Sequence, residues 1–246
     1  TINLENFCKN NNIDFIYKEI VTSTMDLAKH TTSNKRPLLI ISNEQLNGKG
    51  RNGNKWESQK GNIFLTLKID MKKCSKIISK NSIITSLILK KTLNSLNIQS
   101  AFIKWPNDIF IDDKKIAGIL IESYSNNGTQ YLLIGIGINY CSSPKNLKKT
   151  TYIKKFNPEI SKDEIITLLI YNLINFYNNH DDLNDDLLFS EYKNSLLYIN
   201  KNIKVKINKE IYFTGKFIDI TKEGYLVINY ENTKQTIISG SMELIE

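Results

Sequence analysis

Apolar residues recur along this chain in two rhythms. Leu38–Ile41 form an unbroken apolar run, and Ile63, Leu65, Leu67 and Ile69 alternate with their neighbours, so both stretches predict strands. Ile13–Ile20 predicts a third, after a short helix over residues 2–10. Residues 75–97 switch to helical spacing, with Ile77, Ile84, Leu87, Ile88 and Leu96 on one face. Ala101–Ile111 reads as two half-strands separated by Trp105-Pro106-Asn107-Asp108, because proline lacks the amide a central ladder needs.

Asp112–Lys115 predicts a hairpin turn into a strand over Ile116–Glu122, and Asn126-Asn127-Gly128 predicts another turn. The strand that follows ends at Ile134-Gly135-Ile136-Gly137-Ile138-Asn139; its glycines, like Gly118, imply something packed close against the backbone. Residues 141–160 read as a loop. Ser161-x-x-Glu164 is a capping box for a helix with Ile166, Leu169, Ile170 and Leu173 inward, and a second helix is predicted across 184–198. Short alternation returns at Ile203, Val205 and Ile207, with breaks at Lys222-Glu223-Gly224 and Glu231-Asn232. The predicted class is α+β, residues 1–198 forming the main domain and 199–246 a small β-barrel or sandwich.

Two patterns carry chemistry. Residues 44–61 hold Gly48, Gly50, Gly53 and Gly61, four of the eleven glycines, between two predicted strands. A stretch of that length without regular structure reads as a functional loop. Its bare amides suit an anion. Of 33 Lys and Arg residues only Arg36 and Arg51 are arginine, so Arg51 inside this loop implies a need for the planar fork that grips carboxylate or phosphate. Gly48-x-Gly50-x-x-Gly53 matches the dinucleotide fingerprint, but Trp56-Glu57-Ser58 and a strand follow where a helix is required. The second pattern is Lys104-Trp105-Pro106-Asn107-Asp108, where an amine, an amide and a carboxylate meet at a break.

With 41% hydrophobic content in 246 residues, the chain can bury a substantial core. The formal charge of +8 comes from lysines scattered along the whole length, a weak argument for a nucleic-acid surface. Cys8, Cys74 and Cys141 are odd in number and form no CxxC pair, which fits a reducing cytoplasm and argues against a disulfide framework or zinc site. His30 and His180 lie far from the glycine loop, so histidine-based catalysis is not expected. No apolar run approaches the ~20 residues needed to span a bilayer.

Ser23-Thr24-Met25-Asp26, Gly48–Trp56, Lys104–Asp108, Lys115-Ile116-Ala117-Gly118-Ile119-Leu120 and Gly135-x-Gly137-x-Asn139, in that order, resemble the biotin protein ligases. The resemblance runs from about residue 13 to 140 and more loosely through the C-terminal strands. It implies a catalytic domain of the class II synthetase type, a mixed sheet with flanking helices, followed by an SH3-like barrel. It also implies two reactions: biotin attacks the α-phosphate of ATP, with Mg²⁺, to give biotinyl-5′-AMP, and a lysine of a biotin carboxyl carrier protein then expels AMP. By that likeness Ser23, Thr24, Gln45, Gly48, Arg51, Lys115, Gly118 and Leu120 hold biotin. Lys49, Arg51, Trp56, Asn107 and Asn139 face ATP, Trp56 against the adenine. Arg51, Lys115, Lys104 and Asp108 carry catalysis, with Asp108 or Lys104 assisting the acceptor lysine and the metal near Asp108.

Lys49 stands where arginine is common in the family, keeping the charge but losing the fork, and Gln59 where proline is common. Only about 20 residues precede Thr22, too few for the DNA-binding domain some members carry, so DNA is not an expected partner. Members often pair through sheet edges, so a homodimer is one expectation. A lipoate or octanoate ligase or transferase of the same fold is the nearest alternative. A non-catalytic basic binding module using the C-terminal strands is a more distant one, disfavoured by its lack of clustered aromatics for base stacking.

Overall fold

A computed structural model describes residues 2–32, 36–73, 78–98, 100–147, 149–179, 185–208 and 210–245. Cys74, Ile77, His180 and the first residues expected of two helices lie outside them. The chain runs α1 (Ile2–Asn10), β1 (Asp14–Val21), α2 (Thr24–His30), β2 (Leu38–Gln45), β3 (Ile63–Asp70) and α3 (Ile78–Ser95). It continues through β4 (Phe102–Lys104), β5 (Asp108–Ile111), β6 (Lys114–Asn126), β7 (Thr129–Ile138), α4 (Lys162–Asn178) and α5 (Asp185–Asn194). Five short strands close it: β8 (Asn202–Lys206), β9 (Tyr212–Ile220), β10 (Leu226–Tyr230), β11 (Thr233–Ile237) and β12 (Ser241–Leu244).

The first seven strands form one mixed sheet in the order β1-β2-β3-β7-β6-β5-β4, with β1 and β2 parallel. Alternation along β3 predicted one buried face, yet Phe64, Thr66 and Lys68 are as buried as Ile63, Leu65 and Leu67. The reason is that both faces are covered. Helices α1, α3 and α4 pack with the main core on one side. On the other side α2 sets Met25 and Ala28 against Leu38, Ile40 and Leu133. Lys68 survives there because its Nζ donates to Ala28 O (3.2 Å) and Thr31 O (2.9 Å) and stands 4.3 Å from the Tyr131 ring centroid. A buried ammonium without such partners would be costly.

Local signals fixed most boundaries. Ser23 Oγ accepts from Asp26 N at the start of α2, and Ser161 Oγ from Glu164 N at the start of α4. Asp112 and Asp113 both turn left-handed (φ 50° and 55°), as do Asn127 and Gly128 (φ 48° and 77°). These are the two-residue turns that match strand twist. The Trp105–Pro106 peptide is cis and joins β4 to β5, so the expected break is a hairpin connection with Lys104 opposite Asp108. The helix predicted to reach residue 198 stops at Asn194. The following backbone instead pairs with β4: Ile103 N–H donates to Ser195 O and Leu197 N–H to Ile103 O, both at 2.8 Å.

The C-terminal strands form an antiparallel sheet in the order β11-β10-β9-β8-β12. Ile203, Val205, Phe217, Leu226, Ile228 and Met242 bury one face in the main core. The expected barrel is corrected to an open sheet: among the described residues no ladder joins β11 to β12. It is anchored to the larger sheet by Trp105, fully buried, whose Nε1 donates to Gly224 O at 2.8 Å.

Candidate active site

The strands β6 and β7 lie side by side with Gly118 paired to Gly137. Their missing side chains are a requirement of packing. A Cβ on Gly118 would meet the Trp56 ring at 2.6 Å, one on Gly137 at 2.4 Å, and one on Gly135 the Met25 sulfur at 2.8 Å. The indole of Trp56 therefore lies flat on the sheet. Its buried Nε1 has no hydrogen-bond partner.

The glycine-rich segment, expected as a long irregular loop, is partly regular. Lys49 and Lys55 form an antiparallel bridge, Trp56 N–H donates to Gly48 O (2.9 Å) and Gly50 N–H to Asn54 O (2.7 Å). The tip is a turn closed by Asn54 N–H to Arg51 O (3.0 Å), with Asn52 (φ 54°, ψ 35°) and Gly53 (φ 74°) left-handed. Asn-Gly at 52–53 is the dipeptide that selects such a turn, as at Asn127-Gly128.

Beneath this flap is an open cleft with about 190 Å³ of free space. One end is a chain of neutral polar groups. Gln45 Oε1 accepts from Thr24 N (2.9 Å) and Thr24 Oγ1 (3.1 Å), Thr66 Oγ1 donates to Thr24 Oγ1 (2.9 Å), and Gln45 Nε2 donates to Ser58 Oγ (3.1 Å). The rest is cationic. Lys49, Arg51, Lys55, Lys104 and Lys115 line it, against the single carboxylate of Asp108.

That carboxylate is engaged. Lys115 Nζ lies 2.8 Å from Asp108 Oδ1 and 5.0 Å from the Trp56 ring centroid. Arg51 Nη1 reaches Asn107 Oδ1 and Gly240 O, each at 3.4 Å, and Asn107 Nδ2 donates to Ile119 O. Burial pushes the Arg51 guanidinium below its ordinary value, with Asp108 opposing the shift. Burial likewise pushes the Lys104 ammonium down, against the pull of Asp108 and with the help of Lys115. Two cations already partly stripped of water are prepared to gain from a charged ligand. Lys49 is paired with Asp26 at 2.5 Å, tying the flap to α2.

Of the residues singled out in the sequence, Thr24, Gln45, Lys49, Arg51, Trp56, Lys104, Asn107, Asp108, Lys115, Gly118 and Leu120 line this cleft. Ser23, Gly48 and Asn139 stand behind its wall. Ser23 caps α2, a Cβ on Gly48 would strike Ser58 Oγ at 2.5 Å, and Asn139 Nδ2 donates to Lys115 O at 3.4 Å. Sequence reasoning missed Gly240, Ser241 and Met242, which the C-terminal sheet brings to the rim. No motif marks them. Asn52 also lines the cleft, and its Asn-Gly signature was there to be read.

Residues 17–139 match the biotin/lipoate A/B protein ligase family, and residues 198–244 match the biotin protein ligase C-terminal domain. The chain is 28% identical to the bifunctional ligase/repressor BirA of Bacillus spizizenii over 247 residues, covering 93% of this chain and 73% of that one. It is 34% identical over 108 residues to the biotin–[acetyl-CoA-carboxylase] ligase of Paracoccus denitrificans, covering 43% and 45%. A solved biotin protein ligase from Aquifex aeolicus, in complex with biotin and ATP, superposes with a TM-score of 0.81 at 22% identity. It covers 94% of this chain and 98% of that one.

Proposed function

The chain belongs to the biotin/lipoate A/B protein ligase family, and from that premise we propose that it activates biotin with ATP and transfers the biotinyl group to a lysine of a carrier protein. One observation carries this reading: five cations meet two carboxylates, Asp26 and Asp108, in a cleft whose other end is a neutral hydrogen-bonding chain. Such a cleft suits a ligand with an uncharged polar head and an acidic tail, brought against a polyphosphate.

In the first step a biotin carboxylate oxygen attacks the α-phosphorus and the bond to pyrophosphate breaks. Two anions must be held together while charge spreads over the phosphoryl oxygens, so positioned cations dominate the catalysis. Thr24 and Gln45 take the ring end of biotin, held in place by Thr66 and Ser58. Arg51 spans the carboxylate and the phosphate, and Lys115 and Lys104 flank it. Trp56 walls the adenine, and Asn107 and Asn139 lie on the nucleotide side. In the second step the carrier's lysine amine attacks the biotinyl carbonyl, the acyl–phosphate bond breaks and AMP leaves. Asp108, ion-paired with Lys115, or Lys104, whose ammonium burial holds below its ordinary value, takes the proton.

No group of three or more His, Cys, Asp or Glu side chains converges among the described residues. In the first step a Mg²⁺ ion would be held by the nucleotide's phosphates, with Asp108 beside it as the one carboxylate among the described lining residues. When bound, the ion neutralises phosphate charge. Residues 1–198 form the catalytic unit in this reading, and 199–246 a second unit that completes the rim. None of the described helices is long and apolar enough to cross a membrane, and Cys8 and Cys141 are unpaired, in keeping with a cytoplasmic enzyme.

Pyrophosphate–ATP exchange tests the proposal. Exchange that requires biotin supports it, exchange with lipoate alone moves the chain to the other branch of the family, and none with either, from folded protein supplied with Mg²⁺, overturns it.

A further inference from the structure

Asn-Gly is the dipeptide at which a protein backbone most readily attacks itself, because no side chain hinders the following amide nitrogen from reaching the asparagine Cγ. The chain holds three, at 47–48, 52–53 and 127–128. Their settings differ. Gly48 is buried against Ser58 and Trp56, and the Asn47 amide donates to Thr22 O at 2.8 Å. Asn127–Gly128 is the exposed turn of the β6–β7 hairpin and is not among the residues lining the cleft. Asn52 is exposed at the tip of the flap and lines the cleft beside Arg51, and beyond its two chain neighbours no atom lies within 4 Å of the Cβ position of Gly53.

We propose that Asn52–Gly53 is a self-modification site whose spontaneous deamidation disables the cleft. The Gly53 amide nitrogen, giving up its proton, attacks Asn52 Cγ. The bond from Cγ to the side-chain nitrogen breaks, and ammonia leaves with that proton. A water molecule then opens the five-membered succinimide at one of its two carbonyls. The product is aspartate, or isoaspartate with the main chain rerouted through the side chain. Water is the co-reactant and nothing is oxidised.

The observed conformation gates the reaction. With ψ at 35°, the Gly53 nitrogen lies on the far side of the Cα–C bond from Asn52 Cβ, so the ring cannot close. Closure requires the turn, and its bond from Asn54 N–H to Arg51 O, to open. A ligand that holds the flap down protects Asn52, whereas Asn127 has no such protection.

The consequence follows from charge. Conversion sets a new carboxylate beside Arg51, where it competes with the anionic ligand for the guanidinium, and isoaspartate also lengthens the tip. Like charges brought together at a recognition site cost enough to lower activity roughly tenfold or more.

The test is to age the full-length protein at mildly alkaline pH, with and without biotin plus ATP. Peptide mapping follows the amide-to-acid mass gain at 47, 52 and 127, and pyrophosphate exchange is assayed alongside. The expected result is gain at 52 and 127 but not at 47, exchange lost in step with position 52, and protection of 52 alone by substrates. Asn52→Gly keeps the turn's left-handed preference and removes the reacting amide. It should hold its own starting activity throughout ageing. The mass gain stands without the ligase reading; the exchange and protection arms rest on it, and failure of that reading shows at once as no exchange in fresh protein. Gain at 127 without gain at 52, equal decline in the Asn52→Gly protein, or full exchange from converted enzyme would each overturn the proposal. Conversion of 52 at the same rate with substrates present, in an enzyme that exchanges, overturns the gating by flap closure.

Discussion

The indole of Trp56 occupies the space that a side chain at position 137 would need: a Cβ there would lie 2.4 Å from the ring. The flap is thereby registered against the sheet by a contact that only glycine permits. Gly137 pairs with Phe64 and Gly118 in a central strand and has no left-handed backbone, so steric room is its sole requirement.

Gly137→Ala should therefore leave the fold intact and displace the ring. Overpacking costs of roughly 1–3 kcal/mol, if felt in full at the site, correspond to about a five- to 150-fold loss of biotin-dependent exchange. Trp56 emission should shift to the red over the unchanged signal of buried Trp105. Wild-type emission and exchange in a well-folded variant would show that the contact does not position the flap.

The Arg51 guanidinium is partly desolvated, and among the described residues its hydrogen-bonding partners are the neutral oxygens of Asn107 and Gly240. Arg51→Lys keeps the charge but not the fork, and a lost charge-assisted bond is worth about 1.5–3 kcal/mol. Exchange should fall by roughly ten- to a hundredfold, with the melting temperature little changed. Undiminished exchange from the lysine variant would mean that charge alone suffices.

The Lys49–Asp26 pair ties the flap to α2, with side chains about a third exposed (35% and 31%). An ion pair so exposed contributes at most about 1 kcal/mol to stability. Its effect should appear in function instead. Asp26→Asn should raise the KM for ATP a few-fold with kcat and melting temperature nearly unchanged, and the difference from wild type should shrink at high salt. A large loss of thermal stability, or an effect indifferent to salt, would contradict a role as flap tether.

How much of this could be read in the chain depends on the kind of signal. Side chains with unusual chemistry in short segments, such as Arg51 among glycines or Lys104–Asp108 across Pro106, were legible because type and spacing alone constrain them. The glycines of β6 and β7 pointed to a close neighbour, and the structure identifies it as Trp56. Gly240 was illegible: it contributes a backbone carbonyl, which carries no side-chain signature, across 189 positions from Arg51. The covering of β3 on both faces was hidden because Thr66 and Lys68 are polar. The carbonyls of Ala28 and Thr31, the Thr24 hydroxyl and the Tyr131 ring make their burial tolerable. The open edge of the C-terminal sheet was likewise beyond pattern, since alternation reports which face is buried and not which strands meet.

Lys68 offers the last test, because its burial ties stability to pH. Burial holds its ammonium below the ordinary lysine value, so between the lowered value and 10.5 the unfolded chain binds more protons at this site than the folded one. Stability contributed by this site must then rise with pH across that window and be least below it, where the buried charge is fully present. Lys68→Met removes the titration while keeping an unbranched side chain of similar reach. The difference in melting temperature between wild type and variant, followed from neutral to alkaline pH, should move in favour of wild type as pH rises. It isolates this lysine from the others that titrate in the same range. A difference that stays flat with pH would mean that the carbonyls of Ala28 and Thr31 and the Tyr131 ring compensate the buried charge in full.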